Sequence, residues 1–428
     1  MLQRGKIKMK ETKTKNIIRK FLTIIILICM ISAYFPSVNY TVKAVQETLT
    51  EKSDENDEVV LDETIKQYLL EQGIDTNKDG IFTKEELGSE KLRYLCINVS
   101  NEDLNLSGIE YMQNLERITI HASGIKDFSF LSKLKKLKDL DIQSNDEINC
   151  EQLKNISSLE KFSTLNSEVK NLNKLSELKK LKELSLSNAW YDIKEIENFI
   201  NLENLYIHGN IYNEAPDFNK LINLKSLRLS FNSFDNINTK PLTFDKLTFL
   251  ESLSISSYGD TVVDFTNISN LKNLKALSLN AYIVNNAKNI DQISKIPNLE
   301  NLDIDSWEYQ TLNISVNSIA NPKLKELKIA GIIDDIGALT KLNYLENVTI
   351  NNRGLGKVNI EKYLNDAENI KVKNKLKLEG TFEENIEPII CGQTRNINLL
   401  ENAIIKRITS KESALYNNDT ISMERKNI

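Results

Sequence analysis

Residues 202–229 read LENLYIHGNIYNEAPDFNKLINLKSLRL, and they hold one whole period of the pattern that decides the fold. Leu202, Leu205 and Ile207 stand as L-x-x-L-x-L, and Leu224, Leu227 and Leu229 repeat the pattern 22 residues later. Upstream the same triad occurs as Leu115, Ile118 and Ile120, as Leu137, Leu140 and Ile142, and as Leu181, Leu184 and Leu186. Downstream it runs through Leu250, Leu253 and Ile255 to Leu345, Val348 and Ile350. Leu92, Leu95 and Ile97 begin the series, and the turn at Leu159 and Phe162 puts Thr164 where a leucine belongs. The series amounts to about twelve turns. A period this long is not one face of a lone helix. Each period is a strand plus a return segment, and stacking the periods buries what one unit alone would leave wet.

These residues resemble the leucine-rich repeat family, and the spacing of mostly 21 to 22 residues with a short, helix-poor return resembles bacterial internalins. The resemblance covers roughly residues 92–350. It implies an α/β repeat fold, a solenoid with a parallel β-sheet on its concave face. The family normally places an asparagine three residues after the last strand leucine. Asn145, Asn210 and Asn232 keep it, whereas Ser123, Ser167, Ala189, Tyr258, Tyr282, Trp307, Ile332 and Arg353 replace it, which predicts an interrupted inner ladder. Turns from Leu250 to Leu324 are stretched to about 24 to 26 residues, so the second half is expected to be less regular in curvature. Tyr258, Tyr282 and Trp307 are read as buried filler for these wider turns.

In L-x-x-L-x-L the leucines point inward and the x residues point out, so successive turns align the x positions into columns. Those columns are mostly small and polar. Tyr206, His208 and Arg228 stand out on adjacent turns, because aromatic and guanidinium groups are enriched at binding hot spots. The competing reading is that a repeat surface of this size shows such a trio by chance. The lysine clusters on return segments, such as Lys179, Lys180 and Lys182, read as a solvated face rather than a nucleic-acid site.

Ahead of the repeats, Leu61, Ile65, Tyr68 and Leu69 recur at helical spacing and Gly73 offers a stop. DTNKDGIFTKEE, residues 75–86, follows directly. Calcium takes six to eight oxygen ligands, and a 12-residue loop supplies them from its first, third, fifth, seventh, ninth and twelfth places with a glycine turning at the sixth. Asp75, Asn77, Asp79, the Ile81 carbonyl, Thr83 and Glu86 fill those places, and Gly80 is the sixth. The segment resembles an EF-hand, which implies Ca2+ as a structural clip in a helical cap over the first turn. A capping box from Thr83 and Glu86 is the plainer reading; it explains two residues and is compatible with the first.

The chain carries a net charge of −5. Residues 1–44 hold nine Lys or Arg against Glu11 alone, which leaves the remainder near −13. Phe21 to Phe35 is an apolar run behind that basic head, too short for a comfortable bilayer span and suited to a secretory signal ending at Ala44. An uncleaved anchor is the rival reading, and both place the body outside the cell. Glu47 to Glu58 is polar and acidic with little to bury, so residues 45–60 read as a flexible linker, 61–91 as the cap and 92–370 as repeats. Cys96, Cys150 and Cys391 remain after processing, and the first two lie two repeats apart, so disulfides are not the staple. Residues 371–428 read as a short β-rich tail, either a closing cap or a truncated immunoglobulin-like module.

Two histidines, no H-E-x-x-H and no glycine pair at nucleophile-elbow or P-loop spacing leave an enzyme without residues to work with. The expectation is an exported protein-binding solenoid, at the cell surface or secreted, similar to internalins in being an adhesin or host-interaction protein. The alternative is a structural or self-associating surface spacer. Neither a nucleic-acid partner nor stable membrane insertion after signal cleavage is expected.

Overall fold

The computed structural model describes residues 58–99, 104–211, 215–234, 240–257, 261–305, 313–333, 335–352, 360–382, 404–409 and 419–426. The stretch read as a secretory signal, nearly all of that read as a linker, Tyr258, Trp307, Arg353 and Cys391 lie outside them.

Strands such as Arg117–His121, Asp139–Gln143 and Glu183–Ser187 alternate outward and buried residues at period two, as the repeat demands. Among the described residues the sheet has 16 strands, and its parallel run from Tyr94–Asn98 to Lys375–Phe382 adds in chain order. The register is parallel and unshifted at its centre. Leu95 lies beside Ile118, Ile118 beside Leu140 and Leu140 beside Phe162, and the same column continues through Leu184, Leu205, Leu227 and Leu253. It ends at Val348 and Leu376. Members of this stack are almost wholly buried, each contributing about 1.5–3 kcal/mol of transfer free energy.

The return segments are 3-10 helices, including Leu172–Glu177 and Ile193–Asn198. Three residues per turn bring i and i+3 to one side, so Leu172 with Leu175 and Ile193 with Ile196 enter the core together. Phe128, Phe218, Phe244 and Phe265 fill the space behind the sheet. Where the turns stretch, the extra residues form α-helical pieces at Ala281–Asn286 and Val316–Ile319 while the strand register holds.

The inner hydrogen bonds differ from the expected asparagine ladder. Asn145 is exposed, and the side chains of Asn210 and Asn232 lie outside the described set. Two other asparagines, Asn280 and Asn352, are buried and clamp the preceding turn. Asn280 accepts from the Ser257 amide at 3.3 Å and donates to the Ser257 carbonyl at 2.6 Å. Asn352 does the same with Ile333 at 3.3 and 2.7 Å. A further set sits one residue before the first leucine of a turn: Asn223, Asn273 and Asn298 each donate to a carbonyl of the turn before, at 2.8, 2.8 and 2.7 Å. Thr164, in its leucine place, donates to Ser167 at 2.9 Å, and Ser167 donates to the Ser144 carbonyl at 2.8 Å. Tyr282 is half-buried at the start of its helix rather than core filler.

The two ends of the sheet are built differently. At the first strand, Tyr94–Asn98, the cap is pinned by Tyr68 donating to the Tyr94 carbonyl at 3.0 Å and by Asn114 donating to the Gly88 carbonyl at 2.6 Å. At the far end Lys375–Phe382 adds in parallel, and Asp419–Lys426 and Ile404–Thr409 follow antiparallel, so the described tail strands extend the solenoid's own sheet. Cys96 and Cys150 are free thiols, and burial pushes Cys150 far above its ordinary value, leaving it inert. Among the described residues no helix is long and apolar enough to cross a membrane.

Candidate functional site

Helix α1, Glu63–Glu71, is capped by Asp62, whose carboxylate accepts from the Thr64 amide at 2.9 Å. Gly73 at φ +67 turns the chain out of the helix, and buried Ile74 anchors the start of the loop. The loop then closes on itself through its own carboxylates and amides. Asp75 Oδ2 accepts from the Gly80 amide at 2.8 Å, Asn77 Oδ1 from Asp79 at 2.9 Å, and Asp79 Oδ1 from Ile81 at 2.8 Å. Gly80 sits at φ +75, a left-handed conformation that a side chain would strain. Phe82 is buried beneath, and its carbonyl accepts from the Val59 amide at 2.8 Å, so the chain entering the cap supplies the loop's strand partner.

The short helix α2, Lys84–Leu87, begins with the capping box read from the sequence. Both carboxylate oxygens of Glu86 are engaged: Oε1 accepts from the Thr76 amide and hydroxyl at 3.0 and 3.1 Å, Oε2 from those of Thr83 at 3.2 and 3.1 Å. Burial works to raise the Glu86 carboxyl, but the donors from Thr83 and Thr76 outweigh it and hold it below its ordinary value. In this arrangement Asp75, Asp79 and Glu86 do not converge on one point, and among the described residues no other acidic, histidine or cysteine cluster does either. One atom is left over. Asp75 Oδ1 is buried and has no hydrogen-bond partner, facing a loop whose remaining groups are oxygen donors. A cleft of about 540 Å³ is bordered by Asn77, Asp79, Ile81, Thr83 and Glu86. An orphaned carboxylate oxygen among hard oxygen ligands fits a calcium ion, with Glu86 as the ligand that would have to swing inward.

On the sheet, register rather than sequence proximity assembles the other candidates. Tyr206 and His208 lie on Asn204–Ile211, and Arg228 on Ser226–Phe234 stands directly beside Tyr206. The Arg228 guanidinium sits over the Tyr206 ring at 5.6 Å, within cation–π range. The Tyr206 and His208 rings lie 6.4 Å apart with planes 20° from parallel. The trio is therefore one continuous patch. Around it the outward places hold Ser185, Ser187, Ser230, Ser254 and Ser256, a floor too low to hide the three larger side chains. Arg228 is exposed and has no carboxylate partner among the described residues. Other cations of this wall are paired, Arg117 with Asp139 at 2.8 Å and Lys328 with Asp303 at 3.5 Å.

Neither a protein-family model nor a curated protein sequence matches the chain. Solved structures do. An internalin of Listeria monocytogenes is 21% identical, with a TM-score of 0.48, over 71% of this chain and 86% of that one. A leucine-rich repeat protein of Leptospira interrogans is 19% identical, with a TM-score of 0.44, over 60% of this chain and 72% of that one. TLR13 in its complex with ssRNA13 is 19% identical, with a TM-score of 0.40, over 60% and 42%. The likeness is one of architecture, and no residue role follows from it. The chain's own parallel, in-register coils make it a leucine-rich repeat solenoid.

Proposed function

We propose that this chain is an exported protein-binding solenoid, similar to internalins in serving as an adhesin or host-interaction protein, whose concave wall engages its partner through Tyr206, His208 and Arg228. The observation that carries the reading is Arg228: a guanidinium laid on an aromatic ring, exposed, and without a carboxylate among the described residues on a face where other cations have one. A charge so placed is preorganised for an acidic group brought by another protein, flanked by two flat rings. The reading is non-enzymatic. Pull-down from host and bacterial surface extracts with the intact chain, Arg228→Ala and Tyr206→Ala tests it. Loss of one specific partner in both variants supports it; capture unchanged by either variant favours a surface spacer and sinks the binding site.

Ca2+ belongs to the same proposal as a structural ion. Asp75, Asn77, Asp79, the Ile81 carbonyl, Thr83 and Glu86 would hold it, and the ion would supply the positive charge that Asp75 Oδ1 lacks. Extracellular calcium is high enough to fill even a weak loop of this kind. Thermal unfolding in chelator and in millimolar calcium decides the point: equal midpoints remove calcium from the cap.

A further inference from the structure

The residue just after the first leucine of each turn alternates in sign along the solenoid. The column reads Arg93, Glu116, Lys138, Glu160, Lys182 and Glu203, and continues as Lys225, Glu251, Lys275, Glu300, Lys325 and Glu346. Its members are direct neighbours, because each one's amide donates to the carbonyl of the one before: Glu203 to Lys182 at 2.9 Å, Lys225 to Glu203 at 2.8 Å, Glu251 to Lys225 at 2.8 Å. The side chains pair across turns. Glu116 bridges Arg93 at 3.4 Å and Lys138 at 3.3 Å, and Glu203 bridges Lys182 at 3.2 Å and Lys225 at 2.7 Å. Lys225 and Lys182 together hold the Glu203 carboxyl below its ordinary value, so this acid is shared by both neighbours. On four consecutive turns of the first half the next column alternates as well and is opposite in sign: Arg117, Asp139, Lys161 and Glu183, with Arg117 and Asp139 bonded at 2.8 Å.

We propose that this column is a register code, a charge pattern that tells each turn which turn is its neighbour. Every turn shares one apolar pattern, so the core cannot distinguish the next turn from the one after it. The column can. Docking a turn one place out of step sets acid on acid and base on base at about the strand spacing of 4.8 Å. Docking two places out of step restores opposite signs. Apolar stacking supplies the cohesion and the alternating edge supplies the discrimination, a repulsive element directed against the wrong neighbour.

Charge reversal separates a code from a row of independent ion pairs. Glu203→Lys with Lys225→Glu preserves that one pair, yet it sets the new lysine against Lys182 and the new glutamate against Glu251. The double reversal is expected to melt about 2–4 °C below the neutral control Glu203→Gln with Lys225→Gln, and the gap is expected to close in about 1 M salt. A reversal that melts with the intact chain, or no lower than the neutral control, overturns the code, as does a gap that salt leaves unchanged. Excision adds a second measurement. Removing residues 182–202 sets Glu160 beside Glu203, whereas removing 182–224 sets Glu160 beside Lys225. At low salt the shorter protein is expected to melt higher; the opposite order overturns the code.

Discussion

The cap loop and the middle of the solenoid are stabilised in opposite ways. Around Leu205, Leu227 and Leu253 each turn repeats its neighbour's contacts, and every aliphatic side chain lies between two others of its column. In the loop from Asp75 to Glu86 single side chains carry the closure: oxygens of Asp75, Asn77, Asp79 and Glu86 accept from five amides of the loop, and one oxygen is left without a partner. Redundant stacking tolerates variation in its outward residues, whereas a loop closed by single contacts depends on each member.

The largest way to break that contrast is to open a hole in the stack. Leu227→Ala is expected to cost about 2–5 kcal/mol in denaturant titration, since close-packed neighbours on both sides relax only in part. If it costs no more than a surface change, the redundancy argued here is wrong. Gly108→Ala tests the junction between the two regions. The position sits at φ +95, and an added Cβ would lie 2.5 Å from Leu61 Cδ2 and 2.8 Å from Val59, so a loss of about 2–3 kcal/mol is expected, with greater protease sensitivity confined to the cap.

Calcium should act on the cap alone. Millimolar ion is expected to add about 1–3 kcal/mol to the intact chain and nothing to Asp75→Ala, read as the chelator-sensitive shift of the melting curve. An equal shift in both proteins would place the ion elsewhere. The smallest expected effect is on a return segment. Burial works to raise the Glu197 carboxyl, but its bond to Lys220 and the Asp217 amide outweigh burial and lower it. A lowered carboxyl contributes stability that is fully present above its unfolded value, about 4.3 for a glutamate, and this contribution is lost as the pH falls from there through the lowered folded value. Lys220→Gln should flatten that acid limb slightly and leave neutral-pH stability nearly unchanged.

Much of the fold is legible in the chain itself, because the period and the apolar triads state where each strand lies and which way it faces. The Thr83–Glu86 capping box is legible too, since its spacing is a local property. The asparagines were harder. Asn145 satisfies the expected spacing and lies exposed, while Asn280 and Asn352 do the buried work one and two places after the last strand aliphatic, because the backbone groups that need a partner are set only when one turn stacks on the next. The orientation of Glu86 onto Thr76 and Thr83 could not be read either, since a carboxylate at that place suits a capping box and an ion equally.

By itself the sequence determined the repeat, its core and the residue types offered by loop and wall, because those follow from periodicities of one short chain segment. Only the tertiary structure decided which residues from different turns meet. It laid Arg228 over Tyr206, and it turned a scattered alternation of lysine and glutamate into a continuous edge. The physical reason is register: neighbours about 22 residues apart in the chain become contacts only once parallel strands fix them side by side.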